Sequence, residues 1–257
     1  MIRVLLAAVW LFLALPGLGC AQDDGIRLRH ALTKGDLAVA VLAIDGDTVL
    51  LEDGRKVRLL GIQTAEIGPE ETFGATQAQT ALNQLIKGQT VQMYHDGAAQ
   101  DRHGRVLAHL FREDGLWVQG ELVALGWARV YTFPDNATAA PALLGREQTA
   151  RDAGNGLWSN PLYRMRRAAV PDEITPDTYQ LVEGRVVDVA RVRDWTFLNF
   201  GDDWRTDFTA VVPKTATKRF DDLTALKGQR VRVRGWIVWR NGPSVTLDHP
   251  AQLERLE

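Results

Sequence analysis

Between Leu37 and Ile62, short apolar runs alternate with Asp-Gly turns, and no other feature constrains the fold as tightly. "LAVAVLAI" and "DTVLLE" read as strands joined at the "DGDT" turn, and "EDGR" is a hairpin signal before a third strand, "KVRLLGI". "TQAQTALNQLIKG" has helical composition and stops at Gly88. "QTVQMYHD" and "RVLAHLFRED" read as strands again. "LWVQGELVALGWARV" and "LLGREQTARDAGNGLW" read as helices, the second closed by Gly154 and Gly156. The order is a cluster of strands, a helix, two strands, then two helices.

A stretch with no apolar period, "RMRRAAVPDEITPDTY", carries Pro171 and Pro176 and reads as a linker over 160–178. It separates a first unit, 36–159, from a second, 179–257. In the second unit "YQLVEGRVVDVARVR", "WTFLNFG", "DFTAVVP", "QRVRVRGWIVW" and "SVTLDH" read as strands. "TKRFDDLTALKG", between the third and fourth, reads as a short helix. Five strands with a helix at that place match the small Greek-key barrel that commonly binds oligonucleotides.

With 46% apolar residues the 257-residue chain can bury a core, which excludes general disorder. A formal charge of -2 gives no global pull on polyanions, so nucleic-acid binding would need a local basic patch. The opening "MIRVLLAAVWLFLALPGLGCAQ" reads as a secretory signal over 1–21: Arg3, an uncharged run from Val4 to Leu15, a break at Pro16 and Gly17, then small residues. An uncleaved anchor is the alternative, although the run is short for a span. "GLGC" also loosely resembles a lipoprotein box at Cys20. Cleavage after Ala21 would leave no cysteine, which suits an oxidising compartment without disulfides. The mature chain is expected to be exported, periplasmic or extracellular, and monomeric.

Several residues could carry chemistry. Asp47 lies in "DGDT", which by itself is turn chemistry, yet a carboxylate at a strand end also suits a hard cation. Arg58 shares strand alternation with Leu60 and Ile62, so its guanidinium is expected to be partly desolvated and to need an anion, phosphate being a natural one. Glu66 follows on a bend. "DRHGR", Asp101 to Arg105, is a polar turn between strands. His95, His103 and His109 show no zinc-like spacing.

Taken together, "VLAIDGDTVLLEDGRKVRLLGIQTAE", "DRHGR", "VALGWARVYTFPDN" and "GLWS" resemble the staphylococcal nuclease (thermonuclease) family over Val39 to Ser159. The resemblance implies an OB-type five-stranded barrel with flanking helices. With the second, smaller OB-like barrel, the chain falls in a mainly β class with α elements. It also implies a calcium-dependent phosphodiesterase acting on DNA and RNA. Asp47 resembles the first metal-binding aspartate, Thr64 the threonine whose carbonyl binds the metal, and Glu66 the glutamate acting on the attacking water. Arg58 and Arg105 resemble the arginines gripping the scissile phosphate, and Tyr131 sits near a nucleotide-contacting tyrosine.

Three departures stand out. Gln63 occupies the place of a second metal-binding aspartate; it keeps a carbonyl oxygen but no charge, and calcium affinity follows ligand charge. Ala65 replaces a proline, and the stretch after Glu66 is short and lysine-free. The altered metal cage keeps open an alternative, a non-catalytic nucleic-acid-binding or envelope interaction protein with a degenerate site. In the second unit, Arg230, Arg232 and Arg234 alternate onto one strand face. That face is either a solvated side of the barrel or a nucleic-acid track, with Trp195, Trp204, Trp236 or Trp239 for base stacking. From Tyr179 onward, 13 Lys and Arg stand against 11 Asp and Glu, so the unit is only mildly basic.

Overall fold

The computed structural model describes residues 18–66 and 73–256. The expected export signal lies outside them up to residue 17, as does the lysine-free stretch 67–72. A helix, α1 (Leu18–Ala31), precedes the first barrel and buries Leu28 against its core.

Five strands close that barrel: β1 (Thr33–Ala43), β2 (Thr48–Leu51), β3 (Lys56–Leu59), β5 (Thr90–His95) and β6 (Val106–Arg112), in the order β1-β2-β3-β6-β5. All neighbours run antiparallel except β3 and β6, which are parallel. Alternate residues such as Val49, Leu51, Val57, Leu59, Val91 and Met93 fill the interior, as the two-residue pleat requires. Helix α2 (Ala75–Ile86) lays Ala78, Ala81, Leu82 and Ile86 inward at helical spacing and ends before Gly88, whose φ of 72° reverses the chain.

The run expected as one strand, "KVRLLGI", breaks. β3 stops at Leu59, and β4 (Ile62–Thr64) leaves the barrel to pair with β7 (Ala128–Val130). The bend sits at Gly61, with φ 77°, where a Cβ would lie 2.8 Å from the Leu143 side chain. Shared alternation therefore does not extend from Arg58 to Ile62. The tail of "LWVQGELVALGWARV" likewise departs from the expected helix. Helix α3 (Val118–Ala124) ends and β7 follows, because Gly126, φ 77°, packs against the Asn155 carbonyl. Helix α4 (Ala140–Asp152) covers the α3 side.

The second barrel uses β9 (Tyr179–Arg185), β10 (Asp188–Val192), β11 (Trp195–Asn199), β12 (Thr209–Pro213), β13 (Arg230–Trp239) and β14 (Pro243–Thr246), in the order β10-β11-β12-β14-β13-β9. β9 and β10 are halves of one expected strand. Val186 N–H donates to Gln229 O while Val187 N–H donates to Asn199 O, so the chain changes partners between them and closes the ring covalently. Counting that bent strand as one, third and fifth strands run parallel in both barrels. The expected helix between β12 and β13 is one turn, Lys214–Thr217, followed by a 3-10 turn, Leu223–Leu226. Two additions join this sheet. β8 (Arg166–Arg167), inside the expected linker, pairs with β9, and β15 (Leu253–Leu256) pairs with β13.

Candidate active site

The turn carrying Asp47 is built from its own sequence. Asp45 Oδ1 accepts the Asp47 N–H at 2.9 Å, an Asx turn. Gln79 of α2 donates to the carbonyls of Ala43 and Ile44 at 3.1 and 2.9 Å, clamping the turn from the helix side. A Cβ on Gly46 would stand 2.5 Å from Thr64 Oγ1 and 2.8 Å from Ala78 Cβ, so only glycine lets the turn, β4 and α2 meet.

Asp47 is buried, and four donors converge on its carboxylate, Thr48 Oγ1 the most distant at 3.5 Å from Oδ1. Arg58 Nε lies 3.1 Å from Oδ1; the Thr64 N–H and Oγ1 lie 3.1 and 3.2 Å from Oδ2. Burial pushes the Asp47 carboxyl up from its ordinary range, against the pull of the Arg58 guanidinium, and Asp45 beside it adds to the rise. The anion Arg58 was expected to need is thus in the chain itself. The guanidinium also donates to the carbonyl of Leu59 and, at 3.0 Å, to that of Ile62. Three of its five N–H groups are used in this way, which leaves two on the Nη atoms for an incoming anion.

The bend that ends β3 aims backbone atoms at this corner. Tyr131 N–H donates to Gly61 O, which sets the β4–β7 alternation. Gln63 then pairs with Arg129 through ladder bonds, while Ile62 and Thr64 turn their N–H and C=O away from β7. Ile62 O meets Arg58 and Thr64 N–H meets Asp47, so the Thr64 carbonyl points to the Asp47 edge as well. Glu66 is exposed, two residues further along.

Arg105 stands one residue before β6, on the strand beside β3. Its Nε donates to Asp101 Oδ2 at 2.7 Å, and Asp101 Oδ1 accepts the N–H groups of His103 and Arg105 at 2.9 and 3.0 Å. Burial works against the Asp101 carboxylate, but the Arg105 side chain and these two N–H groups outweigh it and hold the carboxyl below its usual range. Asp101, which sequence reasoning passed over, thus positions Arg105; its signal was the four-residue spacing inside "DRHGR".

Gln63 Oε1 is buried with no hydrogen-bond partner among the described residues. A buried acceptor left in this way calls for a cation or a water. Asp47, the Thr64 carbonyl and Gln63 Oε1 are all oxygen donors, the kind of ligand a hard cation takes, and Asp45 and Glu66 lie close by in sequence. No group of three or more His, Cys, Asp or Glu gathers among the described residues, the Asp47 corner included. Tyr131 sits in an aromatic cluster at the seam between the barrels. Its ring lies 4.9 Å from Phe133 and 5.2 Å from Tyr179, and Trp236 Nε1 donates to its hydroxyl at 3.4 Å.

The arginines of β13 require a correction. Arg230, Arg232 and Arg234 do share a face, but α4 covers it. Arg234, 1% exposed, is bound by Glu147 and Glu254, and Arg232, 8% exposed, by Glu183 and Glu254. Neither offers a donor to a nucleic-acid backbone. Arg230 alone keeps an exposed side chain, 3.7 Å from Glu183.

Residues 56–160 match the family described as "Staphylococcal nuclease homologue". A protein of Escherichia coli named as an uncharacterized endonuclease is 31% identical over 123 residues, 47% of this chain and 75% of that protein. The chain belongs to the staphylococcal nuclease homologue family. A thermonuclease of Staphylococcus intermedius is 29% identical over 143 residues, 53% of this chain and 84% of the relative. The span matched by the family holds Arg58, Gln63, Thr64, Glu66, Arg105 and Tyr131. It opens after Asp47, whose place rests on its contacts with Arg58 and Thr64, and it closes before the second barrel.

Proposed function

We propose that the protein is an exported, calcium-dependent nuclease that hydrolyses phosphodiester bonds of DNA and RNA by attack of water. The observation that carries this reading is the Asp47–Arg58–Thr64 corner, with Glu66 following on the same bend inside the family-matched span. Glu66, exposed and unshielded, takes the proton of the attacking water. The remaining N–H groups of Arg58, and Arg105 as presented by Asp101, receive the non-bridging oxygens as charge builds on phosphorus. Asp47, the Thr64 carbonyl and Gln63 would hold calcium, which supplies charge neutralisation and orientation of the water when bound. The N-terminal sequence supports export, and the mature chain then meets nucleic acid outside the cytoplasm.

The test is cleavage of denatured DNA and of RNA by purified mature protein at millimolar calcium, with EDTA as control. Calcium-dependent cleavage that disappears in Glu66→Ala supports the reading. Gln63, which removes one charge from the cage, favours a second reading as a non-catalytic nucleic-acid-binding protein. Binding without cleavage at any calcium concentration, unchanged by Glu66→Ala, would decide for it.

A further inference from the structure

The second barrel carries a groove of about 650 Å³ on the face opposite its core, within the range of ligand pockets. Its floor follows the pleat. Ala190 and Val192 of β10, Trp195, Phe197 and Asn199 of β11, and Thr209 and Val211 of β12 line it, Thr209 itself being buried, while the alternate residues Thr196, Leu198, Ala210 and Val212 do not line it and are buried. The turn β10–β11 bounds one end and the turn β13–β14, with Arg240 and Asn241, the other. In a five-stranded barrel of this order, that is the second- and third-strand face between the first and last hairpin loops, a surface suited to extended oligomers.

The chemistry of the lining selects among oligomers. Trp195 and Trp204 are 40% and 51% exposed, an unusual state for side chains of that size in a folded barrel, and they present flat aromatic faces. No carboxylate lines the groove, whereas Arg240 does. Arg193 stands exposed on the turn at one end, and the Arg205 guanidinium lies 4.4 Å above the Trp204 ring at the other. The acidic groups on the bounding loops are partly engaged in the protein, and Asp203 lies 4.0 Å from the Arg205 guanidinium. Asp194 pairs with Lys214 at 3.0 Å, Asp203 accepts the Arg205 N–H at 3.1 Å, and Asp207 accepts the Asp203 N–H at 2.8 Å; Asp202 remains exposed on that loop. A neutral sugar would favour carboxylates accepting from its hydroxyls. Aromatic planes ringed by arginines suit bases and phosphates instead.

We propose that this groove is a second, non-catalytic binding site for single-stranded nucleic acid, with Trp195 and Trp204 stacking bases and Arg240, Arg193 and Arg205 meeting the backbone. The site replaces the arginine face of β13 as the barrel's nucleic-acid surface. It does not depend on catalysis, so its failure and that of the nuclease reading are separable.

The experiment measures binding of a fluorescein-labelled oligothymidylate of about a dozen nucleotides by anisotropy, with the full mature chain in EDTA and at low salt. Trp195→Ala with Trp204→Ala should weaken binding by about tenfold or more, on the scale of lost base stacking. Trp195→Phe with Trp204→Phe should retain most of it. Arg240→Ala should weaken it a few-fold and flatten its salt dependence. In the unmodified protein, the oligonucleotide should quench tryptophan fluorescence, a measurement that stands even if the alanine variant fails to fold. Unchanged affinity in a folded double variant would overturn the proposal. So would quenching by a soluble oligosaccharide but not by the oligonucleotide.

Discussion

The molecule holds two arginine–carboxylate clusters, and they have opposite fates. At the Asp47 corner, one arginine meets one carboxylate at the rim of the first barrel, and their side chains keep 17% and 12% of their surface exposed. At the seam, Arg234 and Glu147 are 1% and 0% exposed, both carboxylates are paired, and only the Arg234 Nε, sealed from solvent, has no partner among the described residues. Glu147 accepts from Arg234, Arg151 and the Val130 N–H, and Glu254 accepts from Arg234 and Arg232. The seam cluster is closed to solvent at its Arg234–Glu147 pair and joins the barrels. The corner retains spare Arg58 guanidinium donors, and Gln63, next to Thr64 in the chain, has a side-chain oxygen with no partner among the described residues. The two clusters thus differ in access: donors left open at a partly exposed edge can meet an incoming anion, and a donor buried under α4 cannot.

The electrostatics divide in the same way. At the corner burial wins, and the Asp47 carboxyl rises. At the seam burial also works against Glu254, but Arg234 and Arg232 overcome it and hold that carboxyl below its usual range. Ionised Glu254 therefore contributes stability above the ordinary carboxylate range, and this is lost as pH falls through its lowered value.

The comparison breaks most sharply at Glu66. Glu66→Gln should lower kcat by about a hundredfold to ten-thousandfold, the usual contribution of general acid–base catalysis, with the denaturant midpoint unchanged. Full activity in that variant would remove the corner's claim to be the site.

Acid unfolding reaches a third buried polar group. His109 is fully buried beside Trp117, its ring nitrogens have no partner among the described residues, and burial pushes its pKa down to about 3. The fold holds the ring neutral, whereas the unfolded chain takes up a proton near the ordinary 6.5. Stability is therefore full above that value and falls with pH, by at most about 5 kcal/mol at the lower value. His109→Leu should flatten the slope of unfolding free energy between these limits, and an unchanged slope would assign the acid sensitivity elsewhere.

Arg234→Ala should cost about 3–5 kcal/mol in equilibrium unfolding, because it strips Glu147 of a partner inside the seam. Cleavage measured well below the melting transition should persist, in contrast to Glu66→Gln. A large loss of turnover in the folded variant would show that the two clusters are coupled.

The smallest effect is expected at Gln63. Gln63→Asp adds a charge to the cage and should lower the calcium needed for half-maximal activity by about tenfold or less, following ligand charge. Unchanged calcium dependence would place Gln63 outside the coordination sphere.

Much of this was legible from the chain. The Asp-Gly turns, both rounds of five strands, and the family motifs carrying Arg58, Thr64, Glu66 and Arg105 are local patterns. Other features were not. The partner of Arg58 depends on the break at Gly61, which exists because Leu143, far along the chain, occupies the space a side chain would need. The terminal strand Leu253–Leu256 and the two-residue strand Arg166–Arg167 have little pattern of their own and are defined by the strands they join.

By itself the sequence determined the inventory: which residues alternate onto one face, where the chain turns, and which acids and bases lie in the loops. Alternation and turn chemistry are set by the pleat and by φ preferences, which act over a few residues. Only the tertiary structure decided which of the arginines stay available. The face bearing Arg232 and Arg234 looks the same from its own strand whether solvent or a helix lies over it. What covers it is α4, whose Glu147 stands 87 residues before Arg234, and no local rule spans that distance.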